Sequence, residues 1–194
     1  MIPVLRVTDP AAARRLLSTR LGFAAAPDGR LAFGAAQVLV VGPEQAPQGM
    51  IELPLDHIAF SVADADALHR RIAAAGAALD ARFTPDGPRD IPEFWDAGVR
   101  FVFFTGPDDA PFEFCARNGR QDADGHSHHA LRVADPQATG DWLQRQGARL
   151  LASHVLAGPV RVAFYAWGGS VIEVFDEAPR LSAAPGLGWV GLVP

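Results

Sequence analysis

Cysteine is nearly absent. Cys115 stands alone among 194 residues, so no disulfide can form within the chain and the fold rests on its own core. Long apolar runs are missing too, and none approaches the ~20 residues a helix needs to span a bilayer. Basic stripes are also lacking. The 17 Lys and Arg are outnumbered by 22 Asp and Glu, net charge −5, and the arginines come singly or in pairs among acids. That pattern has nothing with which to neutralise a phosphate backbone, which excludes a nucleic-acid partner. No charged segment followed by an apolar one opens the chain. Met1 leads directly into Ile2-Pro3-Val4-Leu5-Arg6-Val7, so neither a signal peptide nor a membrane partner is expected, and the expected address is the reducing cytoplasm. What is present is ordinary globular material, 49% hydrophobic and 20% charged, enough to bury a core.

One grammar recurs three times: a short strand ending in Val, an Asp, a helix and a Gly. The copies begin at Val4-Leu5-Arg6-Val7-Thr8-Asp9, at His57-Ile58-Ala59-Phe60-Ser61-Val62-Ala63-Asp64 and at His128-His129-Ala130-Leu131-Arg132-Val133-Ala134-Asp135. They close at Gly22, Gly76 and Gly147, 13, 12 and 12 residues after their Asp. Each Asp suits a helix N-cap, Pro10 and Pro136 suit the first helical position, and each Gly suits the left-handed residue that ends a helix. Strand-like runs follow: Gln37–Val41 in the first copy, Val99–Phe104 and Pro111–Cys115 in the second, Val160–Tyr165 and Val171–Phe175 in the third. Second-strand signals such as Ala81-Arg82-Phe83 are weak. The pattern predicts an α+β fold of βαβββ modules over residues 1–45, 54–117 and 126–178, with an apolar docking tail over 179–194.

His57 and His128 each lie five residues before the Val that precedes the helix, and Glu113 and Glu173 each sit in the last strand of their module. A repeating strand–helix–three-strand unit with His on the first strand and Glu on the last resembles the vicinal oxygen chelate superfamily. That superfamily includes glyoxalase I, extradiol dioxygenases and bleomycin-resistance proteins. The resemblance covers residues 55–178 well and residues 1–45 by pattern only. It implies that paired modules curl into a half-open mixed-sheet barrel. It further implies that His57, Glu113, His128 and Glu173 hold one divalent metal per chain (Ni, Co, Zn, Mn or Fe(II)), in the His, Glu, His, Glu order similar to bacterial glyoxalase I. Strand parity agrees. His57, Ala59 and Ser61 share one face, while Ile58, Phe60 and Val62 form the apolar face that takes the helix, and both Glu residues oppose apolar neighbours.

The activity implied is that of a metal-dependent lyase or isomerase on a small substrate with vicinal oxygens. The metal would stabilise an enediolate-like intermediate, and Glu113 or Glu173 would act as general base. Two alternatives stand beside it: an Fe(II) ring-cleavage dioxygenase using His57, His128 and Glu173 as a facial triad, and a metal-free binding or resistance protein. The resemblance to glyoxalases implies that Arg132, four residues after His128, clamps the carboxylate of a thiol cosubstrate such as glutathione, while a plain salt bridge is the alternative. The Asn that glyoxalases tend to carry four residues after the metal Glu is replaced by Arg117 and Glu177, so only half of such a clamp is present. Trp95 and Trp167 are candidate walls of a substrate pocket. His129 faces the core, Cys115 packs, and His69, His126 and His154 are expected at the surface, the last two in loops. Module one carries Ile2 where His57 stands and Gln37 with no Glu in its last strand. It reads as a degenerate copy that covers a sheet edge or, left without a partner, makes a homodimer contact.

Overall fold

In the computed structural model, described for residues 1–53, 55–156, 160–176 and 186–194, the chain runs three times through one course. The first comprises β1 (Ile2–Arg6), α1 (Pro10–Thr19), β2 (Ala24–Ala25), β3 (Leu31–Phe33) and β4 (Ala36–Val41), followed by β5 (Ile51–Glu52). The second comprises β6 (Leu55–Ser61), α2 (Ala65–Ala74), β7 (Arg89–Ile91), β8 (Val99–Thr105) and β9 (Pro111–Arg117). The third comprises β10 (Gly125–Arg132), α3 (Pro136–Arg145), β11 (Arg149–Val155), β12 (Arg161–Trp167) and β13 (Ser170–Phe175), and β14 (Gly188–Val193) ends the chain.

Each helix is only ten residues long, too short to persist alone, and depends on its ends and on one packed face. The Asp9 carboxylate accepts the amides of Ala11 and Ala12, Asp64 that of Ala67, and Asp135 that of Ala138, all at 2.9–3.0 Å. Gly22, Gly76 and Gly147 take φ of +82°, +84° and +86°, which a Cβ would disfavour. Leu68 and Ile72 of α2 are buried against the sheet.

Eight strands form one curled sheet in the order β11-β12-β13-β10-β6-β9-β8-β7. Within each module the first and last strands run parallel, β6 with β9 and β10 with β13. The two modules join through the antiparallel pair β6–β10, so they meet inside one chain. A second sheet has the order β2-β3-β4-β1-β14-β5. There β1 pairs parallel with β4 and antiparallel with β14, so β14 stands beside β1 as β10 stands beside β6.

Module one covers a face of the eight-stranded sheet, not an edge as expected. Its Phe23 and Phe33 pack on Phe60 and Phe114 at ring-centroid separations of 5.2 Å, whereas the edges of that sheet are β7 and β11. Trp189 of β14 lies 4.8 Å from the Phe112 ring and donates its indole N–H to the Pro111 carbonyl at 2.8 Å. The segments behind the expectation of a dimer, module one and the stretch around Trp189, are thus packed within the chain. The second strand of module two is β7 and not Ala81–Phe83, which forms a turn. Both β7 and β11 are edge strands with half-exposed sequences, so neither shows the alternation by which a strand is read.

Candidate metal centre

Four strands bring His57 (β6), Glu113 (β9), His128 (β10) and Glu173 (β13) together on the concave face, each between 5% and 7% exposed. Register accounts for the convergence. Glu113 lies opposite Ala59 on β9, and Glu173 lies opposite Ala130 on β13. Ala130 in turn faces His57 across the β6–β10 seam, and His128 faces Ala59.

The seam has two register shifts, one at each histidine. Asp56 is the extra residue beside His57, and Ser127 the extra residue beside His128. A bulge puts consecutive side chains on one side of a sheet, against the strand period. Asp56 therefore accepts from His57 Nδ1 at 2.9 Å, and the Ser127 hydroxyl lies 3.2 Å from His128 Nδ1. Each ring has its Nδ1 engaged by the residue before it, leaving Nε2 aimed at the centre.

At that centre His57 Nε2 lies 3.0 Å from Glu113 Oε2 and 3.5 Å from Glu173 Oε2, and His128 Nε2 lies 3.3 and 3.2 Å from the same two oxygens. Both Nε2 atoms are buried, and among the described residues neither has a hydrogen-bond partner of good geometry. Neighbouring ligand atoms ~2.1 Å from one ion stand about 3.0–3.4 Å apart, so the residues fit a divalent metal. His57, His128 and Glu173 each offer one ligand atom, all within 4.8 Å of one another, and Glu113 Oε2 approaches the two rings as closely.

Without an ion the four groups face one another as opposite charges. Burial alone would push the imidazoles down, yet the carboxylates around them carry His57 well above its ordinary value and His128 to about 9. Burial would likewise push Glu113 and Glu173 up, and the two imidazoles hold them below the usual carboxylate range. Asp56, raised by burial but pulled down further by His57 and Arg132, sits at about 2. An entering ion must displace protons from both rings.

By sequence, the chain matches no protein-family model and no curated protein. By structure, it is similar to glyoxalase I from Zea mays. A single-substitution variant of that enzyme is 18% identical, with a TM-score of 0.68 over 94% of this chain and 68% of the other. A second structure of glyoxalase I from Zea mays is 18% identical, with a TM-score of 0.67 over 92% and 68%. A methylmalonyl-CoA epimerase from Mycobacterium tuberculosis is 22% identical, with a TM-score of 0.49 over 71% and 95%. The chain has the vicinal oxygen chelate fold.

In this fold the concave face forms a cup, and here two chambers open from it. One, of about 450 Å³, reaches Glu113 and His128; the other, of about 370 Å³, reaches His57, Glu113 and Glu173. A strap over residues 92–98 leaves edge strand β7 and crosses to the opposite edge. Its Phe94 ring lies 5.2 Å from Phe164 of β12 and 5.1 Å from His154 of β11, and Trp95 lies 5.3 Å from Phe164. Trp95 takes φ +56°, a strained setting for a bulky residue. Phe103 stands 4.9 Å from the His57 ring and Phe164 5.7 Å from His128, so the centre is walled by aromatic edges.

Of the other expected residues, Trp95 lines the larger chamber. Trp167 does not reach the cup: its N–H donates to the Gln146 carbonyl and its ring meets Trp142 of α3. Arg132 forms the salt bridge, Nε to Asp56 at 2.7 Å, and lies 4.8 Å over the Phe175 ring. Arg117 is held by Asp122, with Nε at 2.6 Å. Glu177 lies outside the described residues. Cys115 packs under the larger chamber, its thiol pushed up by burial and by the charge of Glu113.

His126 and His154 lie on strands β10 and β11, not in loops. The Ser127 bulge turns His126 onto buried His129, with their Nε2 atoms 2.7 Å apart, and burial keeps both rings neutral. His154 sits beneath the strap, its Nε2 buried without a hydrogen-bond partner among the described residues. Asp56 and Ser127 escaped notice because strand parity assigns them to the wrong face. The Asp56-His57 and Ser127-His128 dipeptides, each a polar residue directly before a histidine, were the only signal.

Proposed function

We propose that the protein is a metal-dependent lyase or isomerase acting on a small substrate with vicinal oxygens. The observation that carries this reading is the set of four N···O separations of 3.0–3.5 Å around a shared centre, between atoms with no better partner. The N₂O₂ donor set suits Ni, Co, Zn, Mn or Fe(II). A divalent ion bound there supplies a Lewis acid to the two substrate oxygens. His57, His128 and Glu173 hold it, with Asp56 and Ser127 fixing the rings. Glu113 borders both chambers, so it is the carboxylate placed to take a proton from the hydroxyl-bearing carbon and return it to the neighbouring carbon. Arg132 and Arg117 are engaged by Asp56 and Asp122, so a thiol cosubstrate is not part of this reading.

The test is reconstitution with each of the five metals, followed by NMR of α-proton exchange in deuterium oxide with α-hydroxyketones and 2-oxoaldehydes. Metal-dependent exchange is the expected result. Absence of bound metal under every condition, or no exchange in any loaded form, ends the proposal. A second reading is favoured by one observation: two histidines and one carboxylate, His57, His128 and Glu173, offer ligand atoms within 4.8 Å of one another, as a ring-cleaving Fe(II) site requires. Oxygen uptake by the Fe(II) form with a catechol, measured on an oxygen electrode, selects it.

A further inference from the structure

The two chambers meet at the metal-facing side chains and at Phe94, which lines both. Each holds one of the two histidines, and Glu113 alone of the four ligand side chains borders the two together. A pair of vicinal oxygens bound at the centre would therefore have open space on both sides. The walls of that space are aromatic: Phe164 and Trp95 in the larger chamber, Phe83, Phe103 and Phe175 in the smaller.

Charge narrows the choice further. The larger chamber has one arginine, Arg117, already bound to Asp122. The smaller has Arg89, exposed at its rim beside Asp90 and Glu93. Inside, Glu113 and Glu173 together balance a divalent ion. Among the described residues, neither chamber offers a buried cation to a carboxylate or phosphate on the substrate, and an uncompensated buried anion is costly.

We infer that the cup takes an uncharged substrate with an apolar or aryl arm on each side of its vicinal oxygens, one arm in each chamber. The inference rests on the metal-dependent reading of the site. For such an α-hydroxyketone the chemistry balances without a co-reactant. The C–H bond of the hydroxyl-bearing carbon breaks, Glu113 carries the proton to the former carbonyl carbon, and the hydroxyl proton passes to the other oxygen. One carbon is oxidised and its neighbour reduced, with no net redox change.

The experiment is calorimetric titration of the metal-loaded chain with three probes: hydrobenzoin (uncharged, two aryl arms), 1-phenyl-1,2-ethanediol (one arm) and mandelate (one arm, anionic). Hydrobenzoin is expected to bind at least tenfold more tightly than either of the others, because its second ring leaves water for an aromatic wall. Val171→Phe narrows the larger chamber and Val160→Phe the smaller. Either should erase the tenfold advantage while one-armed binding persists in the chamber left open. Equal affinity for the first two probes, or tighter binding of mandelate, overturns the inference. Benzoin in deuterium oxide separates it from the reading beneath it. Hydrobenzoin binding without α-proton exchange of benzoin keeps the two-armed site and sinks the isomerase. Exchange with small 2-oxoaldehydes and no preference for hydrobenzoin does the reverse.

Discussion

The strand pair β6–β10 and the strand pair β1–β14 are built alike, yet only the first gathers titratable side chains at its centre. Ala130 faces His57 in one, and Val193 faces Ile2 in the other. Ala59 stands between Glu113 and His128, while Val4 stands between Leu39 and Gly191. Register thus puts Leu39, and not Gln37, at the place of Glu113. Where the first pair has two histidines and a carboxylate, the second has Ile2, Leu39 and Gly191, the first two of them in a small apolar cluster with Val4, Val41, Val193 and Met50. The backbone course is therefore neutral to function, which resides in the side chains set on it. The partner also matters. β10 brings a helix and three further strands, whereas β14 brings only itself among the described residues, so the second pair has no opposing wall.

The largest expected break in this contrast is at the two clustered histidines. His57→Ala or His128→Ala should take metal content from about one per chain to near nil, measured by elemental analysis, with circular dichroism unchanged. Glu113→Gln comes next. Under the isomerase reading it should lower turnover by more than ~10²-fold while most metal stays bound. Oxygen uptake with a catechol that survives the same change would point to the dioxygenase. The second pair should answer only in stability: Trp189→Ala is expected to cost about 3–5 kcal/mol in denaturant melts and to leave metal affinity per folded molecule unaltered. Asp56→Asn tests the bulge. It should weaken metal binding by about 10–100-fold with the four clustered residues intact, because a neutral amide that can turn its NH2 to the ring replaces the acceptor-only carboxylate that orients His57.

The smallest effect is one of pH. The ion-free fold gains stability from His128, whose pKa is raised to about 9, and that gain is complete below its unfolded value of 6.5 and lost as pH rises through about 9. A bound ion needs the neutral ring, so it competes with the proton throughout that window. The rise in melting temperature on adding metal should be least at pH 6 and greatest near pH 9. A rise that shrinks with pH would show that the four groups do not converge on an ion.

Much of this was legible in the chain. The Asp, Pro and Gly positions marked each helix end, because caps and left-handed residues are local requirements. The clustering of His57, Glu113, His128 and Glu173 was legible because the repeats align and a strand's side chains alternate. Alternation also failed locally, at Asp56 and Ser127, where one extra residue on a strand reverses its own face. The edge strands β7 and β11 carried no pattern, since a half-exposed edge selects for none. From sequence alone came the three modules, their helix boundaries and the face on which His57, Glu113, His128 and Glu173 lie. Only the tertiary structure decided that modules two and three meet within one chain, that β14 completes the first sheet, and that a strap divides the cup in two. Those outcomes depend on pairings between residues far apart in the chain, and no local rule encodes which distant strand an edge will accept.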